Sequence, residues 1–117
     1  MLAHVHIMKT AGQTICDILR NSFPAQHCDL RVGELATTGD LRFTKVFYPK
    51  LSSIAGHSVR PRGDLLKCEG IRFFAMLREP ISRCISHFQF ERNRNGRKVE
   101  LESWLEQNRD YQTKILC

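Results

Sequence analysis

The sequence predicts an α/β fold, a parallel sheet flanked by helices, in a single domain over residues 1–117. Three observations predict it. Short apolar runs at 2–8 and 71–77 are each followed at once by a segment of helical periodicity. The order is strand, helix, irregular middle, strand, helix, which is the alternation of an α/β layer structure. Each strand-to-helix junction also carries cationic and hydroxyl side chains, at the sheet edge where such folds bind ligands.

Residues 2–8 read as a short buried strand interrupted by His4 and His6. Over 13–23, Ile15, Cys16, Ile18, Leu19 and Phe23 fall at helical spacing, and Pro24 stops the helix because it cannot continue the hydrogen-bond ladder. Residues 25–40 are less regular, with room for a small strand and turns. Residues 42–48 carry strand formers and Pro49 breaks them, so a strand is predicted there. Residues 52–57 give another strand closing on Gly56-His57, and 58–63 form a basic loop with Pro61 and Gly63. The clearest strand is 71–77, an apolar run with Phe73 and Phe74 suited to the centre of a parallel sheet. Pro80 then occupies a first-turn position. The helix runs to about Arg94 on Ile81, Cys84, Ile85 and Phe88, with Asn95-Gly96 as its stop. A further helix over 101–107 places Leu101, Trp104 and Leu105 on one side.

The net charge of +6 favours anionic ligands: polyanions, anionic cofactors or an anionic membrane. Much of it lies between Arg78 and Lys98. Nucleic acid is not the expected partner, since no zinc finger, RNP-like strand or basic-plus-heptad pattern is present. Five cysteines form an odd set without CxxC spacing, which reads as free thiols packed as small hydrophobes. That favours a reducing compartment, and a cytoplasmic location is expected. Residues 1–5 are too short for a signal peptide, and no apolar run reaches membrane-spanning length. Residues 111–117 stop on an apolar stretch without a stop signal. The expectation is therefore a partial domain, incomplete at the C-terminus, from the N-terminal part of something larger.

The first junction is Lys9-Thr10-Ala11-Gly12-Gln13-Thr14. Gly12 can bring the backbone close to an anion or adopt positive φ. The amides opening the next helix can bind phosphate or sulfate oxygens. Lys9 adds charge, and Thr10 and Thr14 add hydroxyls. This is a P-loop-like segment but not Walker A, because the lysine precedes the glycine. The second junction, about seventy residues on, holds Arg78, Ser82, Arg83 and Ser86. Arg78 follows a strand and offers a fork suited to a terminal phosphate. Ser86 lies two helical turns further and can serve the same group. Two such junctions suggest one ligand with two anionic ends.

The strings HIMKTAGQT and LREPISRCIS resemble the 5′-phosphosulfate loop and the 3′-phosphate motif of sulfotransferases that use 3′-phosphoadenylyl sulfate (PAPS). The likeness is to the carbohydrate O-sulfotransferase branch that includes heparan sulfate 2-O-sulfotransferase and bacterial relatives. Met8, Ala11 and Gln13 stand where that branch has a proline, a glycine, and a threonine or serine. The resemblance implies sulfuryl transfer from PAPS to a hydroxyl of a carbohydrate acceptor, leaving adenosine 3′,5′-bisphosphate. It implies Lys9, Thr10, Ala11, Gly12, Gln13 and Thr14 at the 5′-phosphosulfate, with Lys9 also catalytic, and Arg78 and Ser86 on the 3′-phosphate. Arg83 matches a recurrent arginine of structural or supporting role.

Sulfuryl transfer needs a base for the acceptor hydroxyl. His57 is the preferred candidate: it follows the apolar stretch Ile54-Ala55-Gly56, histidine is the side chain whose reference pKa suits the task, and Gly56-His57 resembles the segment bearing the catalytic histidine in that branch. Glu34 is the fallback base, and His87 reads as structural. His4 and His6 share a strand face, but no Cys or Asp completes a metal spacing, so no metal is expected. Arg60, Arg62 and Lys67 could receive an acidic glycan or be solvated loop charges. The alternatives are a truncated relative that binds an anion or partner without transfer, and a P-loop-like nucleotide kinase.

Overall fold

The structure, a computed structural model, describes residues 1–33, 35–95 and 100–117. Among the described residues four strands form one sheet in the order β2-β3-β1-β4, with every pairing parallel. They are β1 (Leu2–Val5), β2 (His27–Asp29), β3 (Ser53–Gly56) and β4 (Arg72–Ala75). The helices are α1 (Gly12–Ser22), α2 (Thr38–Phe47), α3 (Pro80–Asn95), α4 (Leu101–Gln107) and α5 (Tyr111–Leu116), with a 3₁₀ segment at Gly63–Lys67. The α/β fold with a helix-flanked parallel sheet is as the sequence predicts.

Side-chain alternation along β1 explains the layers. His4 is in register with Ala55 and Phe74, so these three share one face. α1 covers that face, with Cys16 and Leu19 packed beside Ala55 and Phe74. Ala3 and Ile54 point the other way, into a core with Leu30, Leu41, Val59 and Leu65. Val5 and Ile7 extend that face and meet Ile115 of α5. Because all strands are parallel, their carboxyl ends lie on one edge. The chain leaves β1 for β2 on one side and later passes to β4 on the other. The carboxyl end of β1 is thus a topological switch point, where open α/β sheets form their ligand crevice.

The strand predicted over 42–48 is instead part of α2. Thr37 and Asp40 form a reciprocal capping box that starts the helix. Leu41 and Thr44 are then buried one turn apart, and the Phe43 and Phe47 rings pair across four residues at 5.2 Å. Strand propensity in Phe43, Val46 and Phe47 loses to that cap and to the burial of Leu41. β4 also differs from expectation. Among the described residues it is an edge strand, hydrogen-bonded to β1 alone, and Met76 and Leu77 beyond it are exposed. Its two phenylalanines follow from burial on both faces, not from a central place. β1 ends at Val5, so His6 and Ile7 belong to the loop. α5 (Tyr111–Leu116) forms where the sequence predicts no helix, and β2 fills part of the irregular middle. The stop expected at Gly96 lies outside the described residues; the helix extends to Asn95.

All five cysteines are free thiols. Among the described residues no helix is long and apolar enough to cross a membrane.

Candidate functional site

The loop leaving β1 is bent by two non-glycine residues in the left-handed region, Lys9 (φ 66°) and Ala11 (φ 62°). Such conformations cost free energy and gather at ligand-binding turns. The Thr10 hydroxyl donates to the Ile7 carbonyl at 2.9 Å, and the residue is buried. Thr10 therefore ties the turn together, with only its oxygen lone pairs left for a ligand. Ala11 begins α1 without any side-chain cap, and the first turn has no acidic residue. The amides of Gly12, Gln13 and Thr14 are left to solvent or an anion. Gln13 and Thr14 are exposed.

Gly12 does not take positive φ. What it allows is close approach: a Cβ here would lie 2.0 Å from His6 Cδ2 and 2.2 Å from His6 Nε2. The His6 ring stacks on His57 at 4.2 Å and lies 5.8 Å from His4. His57 Nδ1 is 2.9 Å from the His6 carbonyl oxygen. A carbonyl only accepts, so Nδ1 carries a proton and exposed Nε2 is the ring nitrogen left to exchange one. Gly56 delivers His57 from β3 at φ 155°, where a Cβ would meet the Leu30 carbonyl oxygen at 2.4 Å. Burial, then the charges of His57 and His4, push His6 down to about 4. His6 is therefore neutral near pH 7 and too weak a base to serve there, while its ring and carbonyl orient His57.

At the second junction Glu79 caps α3 with both carboxylate oxygens: the Ile81 amide donates to Oε1 at 2.9 Å and the Ser82 amide to Oε2 at 2.6 Å. These amide bonds, Ser82 first, hold its carboxyl below the usual range. The two helix starts thus differ. α1 offers open amides, whereas an anion near α3 must be held by side chains. Arg78 is exposed and Ser86 half-buried on α3. Lys9 Nζ lies 4.8 Å from the Phe90 ring centre, and Phe90 is one turn beyond Ser86 on the same helix face. The Lys9 side chain therefore reaches the face of α3 that carries Ser86 and Phe90. Phe90 was missed in the sequence because a single aromatic on a helix carries no motif.

Arg83 and His87 pack instead against α4 and α5. Arg83 is buried, its guanidinium 3.3 Å from His87 Nδ1 and over the Tyr111 ring. His87 Nε2 lies 3.0 Å from Glu91 Oε1 but off the hydrogen-bonding direction, while Trp104 donates to Glu91 Oε2 at 2.7 Å. Burial lowers the His87 pKa, with Glu91 opposing it. Both residues join α3 to α4 and α5. A hollow of about 820 Å³ also lies between these helices, lined by Ile81, Ile85, Phe88, Leu101 and Leu105. Neither Lys9, His57 nor Ser86 borders it. Arg60 donates to the His57 carbonyl at 3.3 Å, while Arg62 and Lys67 are exposed. Glu34, Arg97 and Lys98 lie outside the described residues.

No protein-family model, curated protein or solved structure matches this chain. The likeness to sulfotransferases accordingly rests on the two junction strings and the Gly56-His57 segment.

Proposed function

We propose that the chain binds PAPS and transfers its sulfuryl group to a hydroxyl of a carbohydrate acceptor. The observation that carries this reading is the reach of Lys9 from the first junction to the helix that opens at the second. Its side chain lies over Phe90, one turn beyond Ser86 on α3, while the open start of α1 lies at the switch point of the sheet. The donor set fits an anion: amides without a cap, a lysine, and no acidic residue in the first turn.

In this reading the α1 amides and Lys9 stabilise charge on the 5′-phosphosulfate and on the phosphate oxygen released from sulfur. Arg78 and Ser86 grip the 3′-phosphate and fix alignment. His57 Nε2 accepts the acceptor hydroxyl proton as the new oxygen–sulfur bond forms and the sulfur–phosphate oxygen bond breaks. His6 holds the His57 tautomer through its carbonyl. Adenosine 3′,5′-bisphosphate is the product.

The test is transfer of labelled sulfate from PAPS to a panel of glycans. His57→Ala should lower turnover by about 10²-fold or more while leaving bisphosphate binding intact. Near-normal turnover in that variant removes His57 as the base. Magnesium-dependent ATP turnover without sulfate transfer would instead establish the kinase alternative.

A further inference from the structure

Arg78 sits beyond the end of β4 and before α3, where neither a strand ladder nor a helix orders its backbone. One side chain of α5 does so instead. The Arg78 amide donates to Gln112 Oε1 at 3.1 Å, and Gln112 Nε2 donates to the Arg78 carbonyl at 3.0 Å. A single carboxamide thus engages both main-chain groups of Arg78, as a neighbouring strand residue would. The reversed amide would set donor against donor and acceptor against acceptor. Gln112 is itself fixed on both sides. Tyr111 lies under the Arg83 guanidinium at 4.9 Å, and Ile115 is buried against Val5 and Ile7. α5 therefore touches the root of the first loop and the backbone of Arg78 at once.

We infer that Gln112 is a positioning residue for the 3′-phosphate end of the donor site and acts through Arg78. The inference rests on the donor reading above. Holding both polar groups of Arg78 sets its φ and ψ, and so the direction in which Cβ and the guanidinium leave the chain. Without that clamp the exposed segment of Met76, Leu77, Arg78 and Glu79 samples other directions, and Arg78 must be ordered at the moment of binding. α5 also ties this end to the loop that follows β1, so the spacing of the two anion contacts is set by one helix.

The test is calorimetric titration with adenosine 3′,5′-bisphosphate and with AMP, on the parent, Gln112→Met, Arg78→Ala and the double variant. Methionine keeps the length of Gln112 and removes both hydrogen bonds. The parent should prefer the bisphosphate. Gln112→Met should lose about tenfold in bisphosphate affinity with AMP affinity unchanged. In the Arg78→Ala background the same change should cost nothing further. Undiminished preference in Gln112→Met, or equal losses for both ligands, would overturn the positioning role and leave the donor reading standing. A parent without preference for the bisphosphate would overturn both. Should Gln112→Met fail to fold, Gln112→Asn is one methylene too short to reach both groups; it should show a weakened preference, and full preference counts against the inference.

Discussion

Replacing Gly12 with alanine sets two effects against each other at the first turn of α1. Alanine is the better helix former by about 1 kcal/mol in a helix interior. Against this, the new Cβ would lie 2.0 Å from His6 Cδ2 and 2.2 Å from Nε2, far inside the ~3.5 Å at which carbon atoms attract. The imidazole has little freedom to retreat. It stacks on His57 at 4.2 Å, and the His57 ring is hydrogen-bonded to the carbonyl of the same His6. Overpacking costs about 1–3 kcal/mol, and an approach this close belongs to the upper part of that range, about 2–3 kcal/mol, so the clash outweighs propensity. The expected net loss is about 1–2 kcal/mol, read from urea unfolding, or a fall of about 4–8 °C in Tm. His6→Ala supplies the control. With the ring gone, Gly12→Ala should become neutral or stabilising by up to about 1 kcal/mol. A Gly12→Ala variant as stable as its parent while His6 is present would refute the reasoning, because it would mean the ring moves freely.

Three further outcomes are expected. Ala11→Gly should raise stability by about 0.5 kcal/mol in the same assay, since Ala11 is in the left-handed region where glycine has no Cβ penalty, less the entropy glycine adds to the unfolded chain; a loss of stability contradicts this. Thr37→Ala should cost about 1 kcal/mol by removing the capping box of α2, and an unchanged urea midpoint would show that burial of Leu41 alone holds that helix. Stability should also fall in mild acid. Unfolded His6 takes up a proton as pH drops through 6.5, but in the fold it does so only near 4, so its contribution is full above 6.5 and is lost between 6.5 and 4. The shift is worth at most about 3 kcal/mol, and partial exposure reduces this to about 1–2 kcal/mol. Urea midpoints that stay level from pH 7 to pH 4.5 would rule it out.

The two strand–helix units were legible because each combines an apolar run with helical spacing directly behind it. α1 and α3 start within a residue of where Gly12 and Pro80 suggest. The strands came out shorter than their apolar runs, since Ile7, Met76 and Leu77 continue the composition without continuing the pairing. α2 was misread because Phe43, Val46, Phe47 and Tyr48 are strand formers on average; Thr37 with Asp40 three residues later was the available contrary signal. α5 has six residues, too few for periodicity to show, and its place depends on Ile115 reaching Val5 and Ile7. In the site, Gly56-His57 could be picked out along the chain. The His6–His57 stack could not, because it depends on the lateral pairing of β1 with β3, which brings positions about fifty residues apart into contact. The sequence offered close approach or positive φ for Gly12, and only the packed His6 ring selects between them. The Glu79 cap likewise changes the meaning of the second junction: it occupies the Ile81 and Ser82 amides, so the proposed anion contact there falls to side chains.

The central claim is a donor site with two anionic ends, and calorimetry of the parent protein against adenosine 3′,5′-bisphosphate and AMP tests it most directly. The bisphosphate should bind about tenfold or more tightly than AMP, as expected for charge-assisted contacts to one further phosphate. Arg78→Ala should erase that margin while leaving AMP binding in place. Equal affinity for the two nucleotides in the folded parent, or binding of neither, would contradict the account.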